Sequence, residues 1–309
     1  MPLDPALEPL LQQVNALPPM SQGTPQQARE AFAQLTSLAA SFAPPPEVAS
    51  VSDLKVGGAA GELPARLYLP AGVERPMPTL VFFHGGGFTI GDVASYDGQC
   101  RIISAGAKVA VLSVEYRLGP ENHFPAAADD AIAATGWALA HAEELGGDPA
   151  AIGVGGDSAG GNLAAVAAQA HRDASPPLKG QLLIYPVTDF TAEHPSLERN
   201  GEGLFLTRDD MEWFRDNYIA DEADGADPKA SPRLGELAGL APAVVVTAEM
   251  DPLLDDGEAY ADALEEAGVP VLRRQFDSLI HGFLALGAVS PKASAAVDSV
   301  CADLRDLLG

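Results

Sequence analysis

Cysteine is scarce in this chain: two among 309 residues, Cys100 and Cys301. They lie far apart without metal-ligand spacing, which excludes a disulfide framework and a cysteine zinc site; buried free thiols are the expectation. Bases are also few, 18 against 43 acids and only five of them lysine, giving a net charge of −25. Such a surface repels nucleic acid and anionic membrane, so neither is expected as a partner. Long apolar runs are missing too: nothing approaches the roughly 18 residues that a membrane span needs. Met1 to Pro19 carries acids, glutamines and prolines instead of a basic start and an apolar stretch, so a cytoplasmic protein with no stable membrane association is expected. Internal repeats and long low-complexity tracts are absent as well. What is plentiful is apolar sequence, 47% of the chain, enough for one large α/β domain or two small ones.

The most informative stretch runs from Ala151 to Leu163. A short apolar run, Ala151 to Val154, reads as a buried strand, and the Ala-rich Asn162 to Ala170 reads as a helix. Between them stands Gly156-Asp157-Ser158-Ala159-Gly160, a Gly-x-Ser-x-Gly arrangement. Its glycines lack the Cβ atoms that a sharp chain reversal would bring into collision, so Ser158 can sit in a strained turn with its hydroxyl exposed. In the plainer alternative, Ser158 is a helix N-cap and the glycines are turn residues.

Along the chain, Asp4 to Leu38 has helical spacing interrupted at Pro18-Pro19, with Ser21 to Gln26 as linker. Val51 to Val56 and Ala65 to Leu69 read as strands of a hairpin around Gly57 to Gly61. Further strands are predicted at Thr79 to Phe83, Val109 to Val114, Gln181 to Tyr185, Ala243 to Ala248 and Val271 to Phe276. Helices are predicted at Ser95 to Ala107, Ala126 to Leu145 and Asp256 to Ala267, with a last one opened by Ser290-Pro291. This alternation implies a mostly parallel central sheet flanked by helices, with functional residues at the strand C-terminal ends. The rhythm breaks between Pro186 and Pro242, where Met211, Trp213, Phe214 and Tyr218 fall at helical spacing. Residues 1–45 and an insertion at about 187–228 are therefore expected to form a helical cap on a catalytic domain of residues 46–309.

Four features follow successive strands. His84-Gly85-Gly86-Gly87-Phe88 lacks the Gly-Lys-Ser/Thr ending of a phosphate loop, and its glycines can instead turn N–H groups toward a developing oxyanion. Ser158 comes next and needs a base to take its proton. Of six histidines, only His281 follows the last strand, which makes it the candidate base. Asp251 follows Val244 to Met250 and is the candidate carboxylate, with Asp255 and Asp256 read as the N-cap and first-turn acids of the next helix. Asp251-Pro252-Leu253-Leu254-Asp255 lacks the alternating oxygen ligands of a calcium loop; no metal and no cofactor are expected. The order oxyanion loop, serine, aspartate, histidine is that of an α/β hydrolase.

With these motifs, together with Tyr116-Arg117-Leu118-Gly119-Pro120-Glu121 and His281-Gly282-Phe283, the chain from about residue 40 onward resembles the bacterial carboxylesterases of the hormone-sensitive-lipase type. Two departures are Gly119, where alanine is common, and Ser278-Leu279-Ile280, where a glycine is more usual. The resemblance implies nucleophile, acid and base at Ser158, Asp251 and His281, and oxyanion donors among Gly85, Gly86, Gly87 and the N–H of Ala159. Which two glycines donate stays open. It also implies hydrolysis of short- to medium-chain esters through an acyl-enzyme, a small-molecule ester partner, and homodimers. Two rivals stand beside this reading, an amidase or peptidase on the same triad and a ligand-binding relative without turnover.

Overall fold

The computed structural model describes residues 2–309. Two helices, α1 (Glu8–Val14) and α2 (Pro25–Phe42), precede β1 (Ser50–Gly58), β2 (Gly61–Leu69) and β3 (Met77–Phe83). Then come α3 (Asp97–Ala107), β4 (Ala110–Val114), α4 (Ala126–Ala140), β5 (Gly147–Asp157), α5 (Ala159–Ala170) and β6 (Gly180–Ile184). α6 (Pro195–Asn200) and α7 (Arg208–Tyr218) fill the interval before β7 (Ala243–Met250), α8 (Leu254–Glu266), β8 (Val271–Ile280) and α9 (Pro291–Leu308). The sheet order is β1-β2-β4-β3-β5-β6-β7-β8. β2 pairs antiparallel with both β1 and β4, and every other pairing is parallel, the α/β-hydrolase arrangement.

Side-chain alternation along the strands builds two cores, one on each face of the sheet. Val81 and Phe83 of β3 join Leu112, Val154, Leu183 and Val245 under α4, α5 and α8. Leu80 and Phe82 point the other way and join Val111, Leu182, Ile184 and Val244 against α1, α3 and α9. Both faces being covered explains the unbroken apolar run of Thr79 to Phe83. The register sets Phe83 beside Gly156, Asp157 beside Ile184 and Met250 beside Ile280. His84, Ser158, Asp251 and His281 therefore emerge along one edge of the sheet.

Several boundaries differ from expectation for local reasons. α2 begins inside the expected linker, at Pro25, because Thr24 and Gln27 form a capping box ahead of it. The hairpin turn is only Ala59-Ala60, with both flanking glycines inside the ladder. α4 stops at Ala140, and Gly146, at φ 77°, turns the chain into β5. β8 continues four residues past Phe276 to Ile280, carried through a kink at Ser278, φ 66°, whose N–H donates to Glu249 Oε2 at 2.8 Å. α8 starts at Leu254, so Asp255 and Asp256 both lie in its first turn and neither is its N-cap.

The N-terminal segment is tied to the far end of the chain. The Asp4 N–H donates to Ser278 O at 3.0 Å, and the Asp4 carboxylate accepts from the hydroxyl of Ser290, which itself caps α9. Cys100 and Cys301 are buried and free. Among the described residues no helix is long and apolar enough to cross a membrane.

Candidate active site

Ser158 occupies the turn between β5 and α5 with φ 54° and ψ −120°, a region that side chains rarely enter. It is formally the N-cap of α5, yet its hydroxyl makes no capping bond. The turn is held by the Ser158 N–H donating to Ile184 O at 2.8 Å and the Asn162 N–H donating to Ser158 O at 3.1 Å. Its glycines are demanded by close approach of backbone. A Cβ on Gly160 would stand 1.9 Å from Phe83 O, and one on Gly156 would stand 2.3 Å from the carbonyl carbon of Gly160.

The Ser158 hydroxyl meets His281, with Oγ 3.0 Å from Nε2. On the other side of the ring, Nδ1 is 2.7 Å from Asp251 Oδ2. A carboxylate can only accept there, so Nδ1 carries the proton and Nε2 is left to accept from the serine. Asp251 is fully buried and His281 nearly so. The second Asp251 oxygen accepts from the Leu253 N–H at 2.8 Å, which fixes the plane of the carboxylate.

The segment between β6 and β7 braces this loop in a way that its sequence did not disclose. Asn200, at the end of α6, donates from Nδ2 to Glu249 O and to Asp251 O, both at 3.0 Å. The Ser196 hydroxyl donates to Pro252 O at 2.7 Å, and the Ser196 N–H donates to Asp255 Oδ2 at 2.7 Å. Asp256 accepts from the N–H and the hydroxyl of Thr188. The two acids of the first turn of α8 thus anchor the insertion to the body. Pro195–Asn200 has no spacing or composition that marks such a role; only the fold brings it to the loop.

The glycine loop lies next to Ser158. Gly86 and Gly87 have φ 109° and 57°, and Phe88 also has φ 57°, stacking on Tyr218 at 3.8 Å between ring centroids. The three glycines are not equivalent. The Gly85 N–H donates to Asp157 Oδ1 at 2.9 Å and is committed there, whereas Gly86 offers its carbonyl to the N–H groups of Thr89 and Ile90. Ala159 opens α5, where a helix leaves its first N–H groups without intrahelical partners. Of the remaining histidines, His84 is buried and stacked on Tyr116, and burial pushes its pKa down to about 4, so the ring is neutral. His141 and His171 contact backbone carbonyls of α4. His194 lies 3.9 Å from Asp256.

Asp157 lies inside the Gly-x-Ser-x-Gly motif, where nothing in the sequence marks it for a further role. Its buried carboxylate accepts from Gly85, from the Tyr96 hydroxyl at 3.2 Å and from the Tyr185 hydroxyl at 3.4 Å, and the Tyr185 ring packs 4.5 Å from that of His281. Burial, opposed by the Gly85 N–H, pushes its pKa up from 3.8 to about 6. In that window the native state holds a proton that the unfolded chain has released, so this group lowers stability as pH rises from 3.8 to about 6. Asp157→Asn cannot ionise and escapes that loss. The melting temperature of the variant minus that of the wild type should therefore increase between about pH 4 and about pH 7. Thermal melts at both values test this, and a pH-independent difference would refute it.

A family model for the α/β-hydrolase fold matches residues 80–285. The carboxylic ester hydrolase LipN of Mycobacterium tuberculosis is 46% identical over 271 residues, 85% of this chain and 72% of that protein. An ethyl acetate hydrolase of Pseudomonas putida is 38% identical over the whole of both chains. Among solved structures, an esterase of Pyrobaculum calidifontis superimposes with a TM-score of 0.93 at 36% identity, covering 100% of each chain.

Proposed function

Because the chain belongs to the hormone-sensitive-lipase type of the α/β-hydrolase family and is a carboxylic ester hydrolase, we propose that Ser158 is its nucleophile, His281 its general base and Asp251 the carboxylate that orients the base. The observation that carries this reading is the single imidazole bridging Asp251 at 2.7 Å and Ser158 at 3.0 Å. As Ser158 Oγ attacks the ester carbonyl, His281 Nε2 takes its proton, and the Asp251 carboxylate stabilises the imidazolium that forms. The oxyanion is received by the N–H groups of Gly86, Gly87 and Ala159, Gly85 being engaged with Asp157. His281 returns the proton to the leaving alcohol. It then activates water to hydrolyse the acyl-enzyme.

The preferred substrates are short- to medium-chain esters. Two aromatic side chains from the interval between β6 and β7 support this preference: Phe214 of α7 lies against Gly87, and Phe205 against Gly282, next to the base. A Cβ on Gly87 would fall 2.1 Å from the Phe214 ring, and one on Gly282 would fall 3.2 Å from the Phe205 ring. The described part of residues 1–45, Met1 lying outside the described residues, and the insertion at about 187–228, which holds α6 and α7, act as the cap. Hydrolysis of p-nitrophenyl esters from acetate to palmitate tests the assignment, the maximum being expected at or below octanoate. Phe214→Ala should raise the kcat/KM ratio of decanoate to butyrate about tenfold by opening room beside the oxyanion loop. An unchanged ratio would remove Phe214 from the pocket wall, and turnover of anilides in preference to esters would overturn the ester assignment. The site of action is the cytoplasm; the two buried thiols, pushed up to about 12 by burial, are suited to a reducing compartment.

A further inference from the structure

Along α2 only Ala28 is buried, so apolar packing anchors this helix weakly. Beside it lies a cavity of about 500 Å³, bordered by Arg29 and Phe32 on the helix side and by Glu115, Tyr116 and Glu121 on the body side. One side chain of α2 crosses to the body through a set of directed hydrogen bonds. Arg29 donates from Nε to Thr89 O at 2.7 Å, from Nη2 to Gly119 O at 2.7 Å, and through Nη1 and Nη2 to both Glu121 oxygens at 2.9 and 2.7 Å.

Of those acceptors Thr89 lies on the turn that carries Gly86 and Gly87, whereas Gly119 and Glu121 lie on the loop after β4, which is bonded to that turn. The Thr89 and Ile90 N–H groups donate to Gly86 O, the Thr89 hydroxyl donates to Gly87 O at 3.0 Å, and the Gly119 N–H donates to Phe88 O at 2.8 Å. The guanidinium therefore grips, directly at Thr89 and through Gly119, the turn to which the proposed oxyanion donors Gly86 and Gly87 belong. Gly119 is squeezed between this clamp and α7, since a Cβ there would stand 2.2 Å from Asn217 O.

We infer that Arg29 is a positioning residue for the oxyanion turn, holding Thr89, Gly119 and Glu121 in one plane so that docking of α2 is coupled to stabilisation of the transition state. The inference rests on the assignment of Gly86 and Gly87 as oxyanion donors. Preorganised donors act only when they are already in place, and a turn with one clamped carbonyl released loses that preorganisation. Lysine keeps the charge at position 29 but cannot reproduce the planar fork.

The test compares wild type, Arg29→Lys and Arg29→Ala in three readouts. These are kcat and KM for p-nitrophenyl butyrate, the inhibition constant of an alkyl trifluoromethyl ketone, which adds to the serine as a tetrahedral oxyanion, and the melting temperature. Arg29→Lys is expected to lower kcat about tenfold, weaken the ketone by the same factor and leave KM within about twofold; Arg29→Ala should do more of the same. A purely structural Arg29 would move the melting temperature, or raise KM alone, with kcat and ketone affinity unchanged, and either result would overturn the inference. If the wild-type enzyme hydrolyses the ester but the ketone does not inhibit it, the oxyanion assignment itself fails and the inference falls with it.

Discussion

Ser158→Ala lowers kcat on p-nitrophenyl butyrate by about a millionfold and leaves a folded protein. The size of the loss follows from the geometry: Oγ is the atom that His281 addresses, and among the described residues no other hydroxyl is hydrogen-bonded to that ring. Retention of the fold follows from the same site, because the bonds that hold the turn, to Ile184 O and from Asn162, belong to the Ser158 backbone. Alanine at φ 54° keeps the backbone strain, of order 1–3 kcal/mol, whereas glycine relieves it, so Ser158→Gly should melt above Ser158→Ala. Residual turnover above about a thousandth of the wild-type rate in either variant would disprove the nucleophile assignment.

Asp251→Asn should cost about ten-thousandfold in kcat, with KM little changed. The direction of the new amide is set by Leu253, whose N–H requires an acceptor at the Oδ1 position. The asparagine oxygen therefore faces Leu253 and its NH2 faces Nδ1 of His281. Nδ1 must then accept, the imidazole proton moves to Nε2, and the ring presents a donor to a serine that needs an acceptor. Steady-state kinetics on the purified variant decides the matter. A loss of less than about tenfold would mean that another carboxylate orients the base.

How far the sequence leads differs between the parts of this site. Its strands were legible because both faces are covered, which forces apolar runs such as Thr79 to Phe83 and leaves each functional residue directly after one. Ser158 was legible through glycines that backbone approach makes obligatory. Asp251 was separable from Asp255 and Asp256 by its position at a strand end, although the N-cap role expected among the other two is not found: both lie in the first turn of α8, where they anchor the segment between β6 and β7 to the body. The supports were not legible. Asn200 acts across 51 residues on Asp251, and Arg29 acts across 92 on Glu121, distances at which no local period carries information. Asp157 stood inside the recognised motif, but its three donors come from elsewhere in the chain. The stretch of β8 beyond Phe276 was not legible either, because its continuation through Ser278 depends on Glu249, a residue of the neighbouring strand.

The bond between Asp4 and Ser290 spans 286 residues, close to the full contour of the chain. It belongs to the contacts of highest sequence separation, whose loop-closure entropy is met last in folding. During translation the N-terminal segment must wait, unpaired, until the His281 loop and the start of α9 have left the ribosome. The parallel sheet can assemble strand by strand before then, but the pair of bonds from Asp4 to Ser278 and Ser290 is complete only once residue 290 has emerged. Anchoring of the N-terminal segment therefore follows, and cannot precede, synthesis of the stretch from Asp251 to Ser290 on which the proposed base and its carboxylate stand.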